Sequence, residues 1–263
     1  MPEGHTIHRL ARDLNRTLRP GAVSASSPQG RFSSDAALLD GRALERANAW
    51  GKHLFMEFAN APILHIHLGL IGKLRSKPAT DPEQGEIRLR LIGDEQLWDL
   101  TGPMICALID PDDVDTITAK LGPDPLRRDG RPEDFEARMS SRSVPVAAAL
   151  LDQSVVAGVG NVYRSEFCYL SGIDPRTPAK TLDEQQTRAL WDLATTQLKL
   201  GVRLNRIVTR DPDEVGTSVG KIGDEDRLYV YKREGLPCHR CGTEIRLLEI
   251  SKRKAWYCPT CQS

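Results

Sequence analysis

Four cysteines crowd into the last 26 residues as Cys238, Cys241, Cys258 and Cys261, a Cys-x2-Cys-x16-Cys-x2-Cys spacing within the range of a four-thiolate zinc site. Zn²⁺ takes four ligands at tetrahedral corners, and each Cys-x2-Cys knuckle supplies two of them from one tight turn. Gly242 follows the first pair, where a left-handed turn residue is expected. Residues 1–15 carry His5, His8, Arg9, Arg12 and Asp13 instead of the apolar core of an export signal, so a metal is expected here rather than disulfides. Four protein ligands close the site, so a single structural Zn²⁺ is expected, with no catalytic part. Cys106 and Cys168 stand alone in apolar stretches and read as small core residues.

No apolar run approaches the roughly 20 residues that span a bilayer, and a soluble, intracellular (cytoplasmic) protein with no membrane partner is expected. The formal net charge is +0, so charge balance alone does not announce a nucleic-acid binder. From Arg227 onward, however, eight basic residues face three acidic ones, which makes either a phosphate-facing patch or a solvated charged surface. Lys252-Arg253-Lys254-Ala255-Trp256-Tyr257 lies between the cysteine pairs. It reads as a hairpin tip whose arginine meets a DNA backbone, or as a finger packed on its aromatics with the cations merely exposed.

Ile7, Leu10, Ala11 and Leu14 recur at helical spacing, so a helix starts within a few residues of the N-terminus. The region from about 30 to 110 reads as strands: residues 53–58 and 63–68 are short apolar runs, and Ile87, Leu89 and Leu91 alternate with Arg88 and Arg90. Strand after strand without helices predicts an antiparallel sandwich. Beyond Asp110 the chain turns helical. One helix is expected from Pro145 to Asp152, a second from Val162 to Leu170 with Asn161 as its N-cap, and a third from Leu182 to Leu200. Residues 201–226 are polar and glycine-containing and read as a mobile loop.

Met1-Pro2-Glu3-Gly4, Gly51-Lys52, Leu121-Gly122-Pro123-Asp124-Pro125-Leu126, the segment Asp152-Gln153 through Gly158-Val159-Gly160-Asn161, and Tyr257-Cys258-Pro259-Thr260-Cys261-Gln262 occur in this order along the chain. The set resembles the formamidopyrimidine-DNA glycosylase/endonuclease VIII family, and it runs from residue 2 to residue 262. The resemblance implies an α+β chain. An N-terminal antiparallel β-sandwich with a leading helix would occupy residues 1–115, a helix-two-turn-helix DNA-binding domain 125–225 and the zinc finger 227–263.

It also implies a bifunctional DNA glycosylase and abasic-site lyase of base-excision repair, acting on damaged DNA as a monomer. Removal of Met1 would leave Pro2 with a free secondary amine to attack C1′ of the lesion nucleotide, expel the base and form a Schiff base. An α-amino group titrates near 7.7–8.0, and the positive end of the following helix is expected to disfavour its ammonium form further. Glu3 would serve as acid and base on the sugar, Lys52 as a cationic proton donor at the sugar-phosphate, and Arg253 as the finger arginine assisting the second elimination. Asn161 and Lys120 would contact the DNA backbone. Leu70, in His67-Leu68-Gly69-Leu70-Ile71-Gly72, stands either as the wedge that fills the gap left by a flipped base or as a core residue.

Thr6 stands where many relatives have a second glutamate, and Leu97 to Pro103 lacks the Arg-x-Phe pair of the guanine-lesion branch. The pattern therefore leans to endonuclease VIII and to oxidised pyrimidines. The 201–226 segment is expected to shape the base pocket. The alternatives are an enzyme for oxidised purines, an inactive DNA-binding member of the fold, and a structural zinc-ribbon protein.

Overall fold

The computed structural model describes residues 2–19 and 21–262, and the chain divides into two compact units, residues 1–120 and 121–263. The first unit opens with helix α1 (Gly4–Thr17), whose apolar stripe of Ile7, Ala11 and Leu14 is buried. β1 (Ala22–Ser26) and a short helix α2 (Ser33–Leu39) follow. Seven strands complete the unit's sheet: β2 (Arg42–Trp50), β3 (His53–Phe58), β4 (Ile63–His67), β5 (Lys73–Pro78), β6 (Ile87–Ile92), β7 (Gln96–Thr101) and β8 (Ile105–Ile109). Helix α3 (Pro111–Thr118) ends the unit.

The strand order is β5-β7-β6-β1-β2-β3-β4-β8, and neighbouring strands pair antiparallel. β1 joins the halves, bonding β2 through Ala22 and Val23 and β6 through Ser24 to Ser26. A strand shared in this way lets one ladder fold into two packed layers. Leu89, Leu91 and Leu100 from one half and Leu54, Met56 and Ile66 from the other lie in a single core with α1.

The strand reading needs three amendments. β1 and α2 lie in the stretch before residue 42, where propensity gave weak signals. Arg90 does not alternate outward: it is buried, and its guanidinium donates to Asp99 at 2.8 and 2.9 Å and to the carbonyls of Asp81 and Pro82. Burial pushes the Asp99 carboxyl up, but hydrogen bonds from Arg90 and Lys77 outweigh it and hold the group below the usual carboxylate range. Cys106, read as core, is only half-buried in β8.

The second unit carries α4 (Pro132–Ser140), α5 (Val146–Ala149), α6 (Asn161–Leu170), α7 (Glu184–Leu204), α8 (Pro212–Val215) and the finger strands β9 (Arg246–Ile250) and β10 (Arg253–Tyr257). The helix expected over Pro145–Asp152 is a single turn. Gln153 ends it by bonding the carbonyls of Leu151 and Val159 and the N–H of Gly158, which draws the chain into the turn ahead of α6. Gly160, with extended backbone, is the N-cap of α6, so Asn161 is its first helical residue and not its cap. α7 begins two residues later and ends four residues later than the periodicity suggested. Its start is set by a reciprocal capping box between Asp183 and Gln186, and its end by Asn205 in the left-handed region.

The segment read as a loop over 201–226 includes the last turn of α7, α8 and a 3-10 turn at Val219–Lys221. Arg206 ties it together by donating to the carbonyls of Gly220 and Ile222 at 2.9 and 2.7 Å.

Candidate active site and metal centre

Helix α1 starts at Gly4, so Pro2 and Glu3 sit immediately before its positive end. Pro2 is half-buried and Glu3 is fully buried at 0% exposure. A carboxylate at this position ordinarily caps its helix, but the Glu3 side chain makes no capping hydrogen bond. Its backbone carbonyl instead accepts from the N–H of Thr6 at 2.9 Å.

Lys52 lies in the two-residue turn between β2 and β3, closed by the Trp50–His53 pair. Gly51 occupies the first turn position at φ 56°, a conformation that suits glycine and explains the Gly-Lys order. The half-buried Lys52 acts electrostatically on His53 and His67, which are direct cross-strand partners on β3 and β4. Burial, followed by the Lys52 charge, pushes the His67 imidazole below its ordinary pKa.

Sequence reasoning passed over His67, although it begins the quoted His-Leu-Gly run. Its Nδ1 accepts the N–H of Gly69 at 3.1 Å, and its carbonyl accepts the N–H of Met104 at 2.9 Å. His67 thereby ties two loops together at the exposed apolar side chains Leu70, Ile71 and Met104, which are 55%, 78% and 66% exposed. Leu70 is not a core residue. Gly69, at φ +67°, is required for this junction, since a Cβ there would lie 2.9 Å from the Cβ of Met104. Ile71 and Met104 were also missed, because an isolated Met in a Gly-Pro turn carries no periodic signal. Lys120 is exposed at the end of the first unit, its N–H closing a turn on Ile117.

In the second unit Asn161 and the finger hairpin come together. The Asn161 amide donates to the Lys254 carbonyl at 3.1 Å. One turn along α6, the fully buried Arg164 donates to the carbonyls of Ala147, Arg253 and Lys254 at 3.3, 3.3 and 3.0 Å. Two side chains of α6 thus grip the backbone that carries Arg253, and a buried arginine was not legible as part of the site. Arg253 and its neighbours Lys252 and Lys254 are exposed, whereas Trp256 and Tyr257 are buried. The finger is thus packed on its aromatics with its cations exposed. The turn between β9 and β10 consists of Ser251 and Lys252, both left-handed at φ 53° and 60°.

Glu166 is the deeper anchor. Its fully buried carboxylate accepts the N–H groups of Tyr229, Val230 and Tyr231 at 2.8–2.9 Å and the hydroxyl of Thr209.

The Sγ atoms of Cys238, Cys241, Cys258 and Cys261 all lie within 4.8 Å of one another, with Cys238–Cys261 at 3.9 Å and Cys241–Cys258 at 3.4 Å. Four thiolates about 2.3 Å from a tetrahedral Zn²⁺ would stand about 3.8 Å apart, so the donor set fits that metal. Gly242 takes φ 75° in the first knuckle. Gln262 anchors the second, accepting from the Cys258 N–H at 2.8 Å and donating to the Ile173 carbonyl at 3.0 Å. Among the described residues no helix is long and apolar enough to cross a membrane.

Comparison with known proteins covers the whole chain. The formamidopyrimidine-DNA glycosylase N-terminal domain matches residues 1–100, the helix-two-turn-helix domain of that enzyme 121–213, and the zinc finger found in it and in isoleucyl-tRNA synthetase 235–263. Endonuclease 8 1 of Mycobacterium tuberculosis is 42% identical over 268 residues, covering all of both chains. The formamidopyrimidine-DNA glycosylase of Bordetella petrii is 33% identical, over all of this chain and 99% of its own. Among solved structures, Lactococcus lactis formamidopyrimidine-DNA glycosylase in complex with DNA containing an abasic site is 25% identical with a TM-score of 0.81, covering 99% of each chain.

Proposed function

Because the chain belongs to the formamidopyrimidine-DNA glycosylase/endonuclease VIII family of base-excision-repair glycosylases, we propose that it removes oxidised pyrimidines from DNA and then cleaves the strand at the abasic site. The observation that carries the mechanism is the fully buried Glu3 carboxylate, next to Pro2 at the start of α1. In this reading the Pro2 amine, freed by removal of Met1, attacks C1′ and the base leaves with the bonding electrons and a proton. The C1′–O4′ bond then breaks, O4′ takes a proton and C1′ becomes the carbon of an iminium. The iminium acidifies C2′, so that β- then δ-elimination releases both flanking phosphates.

Glu3 moves the sugar protons, and Lys52 supplies a positive charge and a proton at the sugar-phosphate. Asn161 has a second amide N–H beyond the one given to Lys254, available to a phosphate oxygen. Arg253 is held by its own backbone carbonyl while its exposed guanidinium faces outward for the second elimination. Lys120 adds a backbone contact, and Leu70 enters the stack in place of the extruded base. One Zn²⁺ held by the four cysteines keeps the hairpin folded and supplies no chemistry to the substrate. The protein acts as a monomer on DNA inside the cell.

The preference for pyrimidines is supported by the higher identity to an endonuclease 8 than to a formamidopyrimidine-DNA glycosylase, 42% against 33%. The exposed Met104 in the β7–β8 turn, in a segment without an Arg-x-Phe pair, accords with it. The test is borohydride trapping on duplexes carrying one thymine glycol, one 8-oxoguanine or one abasic site, with Pro2→Thr and Glu3→Gln alongside. The reading requires a covalent adduct that Pro2→Thr abolishes and that forms faster on thymine glycol than on 8-oxoguanine. A zinc-loaded protein beginning at Pro2 that binds DNA without forming an adduct is an inactive binder.

A further inference from the structure

The second unit contains a cavity of about 690 Å³ that none of the residue roles above uses, although residues 208–212 and Val219 of its lining belong to the segment expected to shape the base pocket. One wall is an exposed face of α7 that includes Lys199 and Arg203; the others come from Arg210, Asp211 and the first zinc knuckle at Arg240. Four cations and one carboxylate line it; Asp211 accepts the Asp213 N–H of α8, and Arg240 donates to Glu214 at 3.0 Å and to the Tyr229 hydroxyl at 3.1 Å. Leu170, Leu193, Leu200 and Val208 supply apolar surface between them.

We propose that this cavity is a second binding site, separate from the DNA-contacting residues, for a phosphorylated organic molecule of mononucleotide size. Arg210 is only 8% exposed, its Nη1 reaches Asp226 at 3.3 Å, and its buried Nε has no hydrogen-bond partner. The Oε1 of Gln197, on the α7 wall, is likewise buried and unpartnered. These two atoms are closed to solvent, so a ligand reaches them only as the Arg210 and Gln197 side chains, both of which line the cavity, turn toward it. An acceptor at Arg210 and a donor at Gln197 then relieve the cost of leaving them unbonded.

The guanidinium fork matches phosphate oxygens in pairs, and several cations favour a dianion over a monocarboxylate. Inorganic phosphate alone would leave most of the volume and the leucine walls uncovered, whereas a mononucleotide fills a cavity of this class. The cavity touches α6 at Leu170, its last residue, while Asn161 is its first. Nine residues of helix place them about 14 Å apart, which separates this site from the grip on the finger hairpin.

Isothermal titration of the zinc-loaded protein with adenosine 5′-monophosphate, inorganic phosphate and adenosine tests the site. Saturable binding of the nucleotide is expected, with phosphate about tenfold weaker or more and adenosine silent. Arg210→Gln should weaken nucleotide binding about tenfold, and so should Lys199→Glu, whose exposed position leaves folding undisturbed. A stoichiometric abasic-site duplex should leave nucleotide binding intact. The proposal is overturned by absence of saturable binding, by equal affinity for phosphate alone, by indifference to Lys199→Glu, or by displacement with the duplex. Displacement would mean that the nucleotide occupies the DNA site, which bears on this cavity and leaves the adduct experiment untouched.

Discussion

His53 and His65 are hydrogen-bonded across adjacent strands, Nδ1 of the first lying 2.9 Å from Nε2 of the second, with their rings stacked at 5.2 Å. Such a bond needs one N–H and one bare ring nitrogen, so the accepting ring must be neutral and the two cannot both be protonated while it holds. Burial, reinforced by the charges of His67, His65 and Lys52, pushes His53 down to about 3, and burial with His67 pushes His65 down to about 4. His5, buried in α1, is lowered to about 4, chiefly by desolvation.

An unfolded histidine titrates near 6.5, so between about pH 6.5 and 4 the unfolded chain takes up protons that the folded chain refuses. The stabilisation is therefore complete above pH 6.5 and declines as pH falls, by about 1.4 kcal/mol per pH unit for each imidazole kept neutral. Urea midpoints should drop steadily from pH 7 to 5, and His65→Phe should flatten the slope. A midpoint constant over that range would contradict the assignment.

Arg164→Leu removes a donor from the carbonyls of Ala147, Arg253 and Lys254, of which Lys254 keeps the Asn161 amide, and should destabilise the second unit by about 2–4 kcal/mol. The local signature is faster amide hydrogen exchange in the 246–257 hairpin together with weaker binding to an abasic-site duplex. Unchanged exchange in the hairpin would show that Arg164 does not hold it.

Chelation should release one Zn²⁺ per chain and unravel both cysteine knuckles, with loss of DNA affinity. The first unit has its own core of β-sandwich and α1 residues, so one cooperative thermal transition should survive metal removal. Collapse of all structure on chelation would mean that the units do not fold independently.

Leu70→Ala combined with Ile71→Ala removes two exposed side chains and should change stability by less than about 0.5 kcal/mol. If these residues fill the gap behind a flipped base, single-turnover excision from duplex DNA should slow by tenfold or more, since unstacking costs a few kcal/mol. Cleavage of a single-stranded abasic substrate, which has no stack to open, should be unaffected. Equal losses on both substrates would assign the loop another role.

The parts legible in the sequence are those with a short period or a fixed spacing. The cysteine knuckles, the α1 stripe at Ile7, Ala11 and Leu14, and the strands at 53–58 and 63–67 follow local rules that distant contacts did not override. What escaped depends on partners far along the chain. Arg90 is a polar alternating residue until Asp99 and the carbonyls of Asp81 and Pro82 enclose it. Asn161 looks like a cap until Gly160 takes that place and its amide turns to Lys254, 93 residues away. Arg164 and Glu166, one turn along the same helix, carry no local signal of a role, yet both are fully buried and hold segments 60 to 90 residues distant. A charge pattern gives no sign of which face a helix will bury when its partners are backbone carbonyls and N–H groups.

The two-residue turn at the finger tip bears on engineering the protein. Ser251 and Lys252 both adopt the left-handed conformation that asparagine and glycine take at little cost, a penalty of about 1 kcal/mol each. Hairpin stability and tip charge are therefore set against each other at the position just ahead of Arg253. An Asn-Gly tip would make a stiffer finger with one fewer cation, while a Ser-Arg tip would keep both the strain and the charge. The pair of variants separates how firmly the arginine is presented from how strongly its surroundings attract a phosphate.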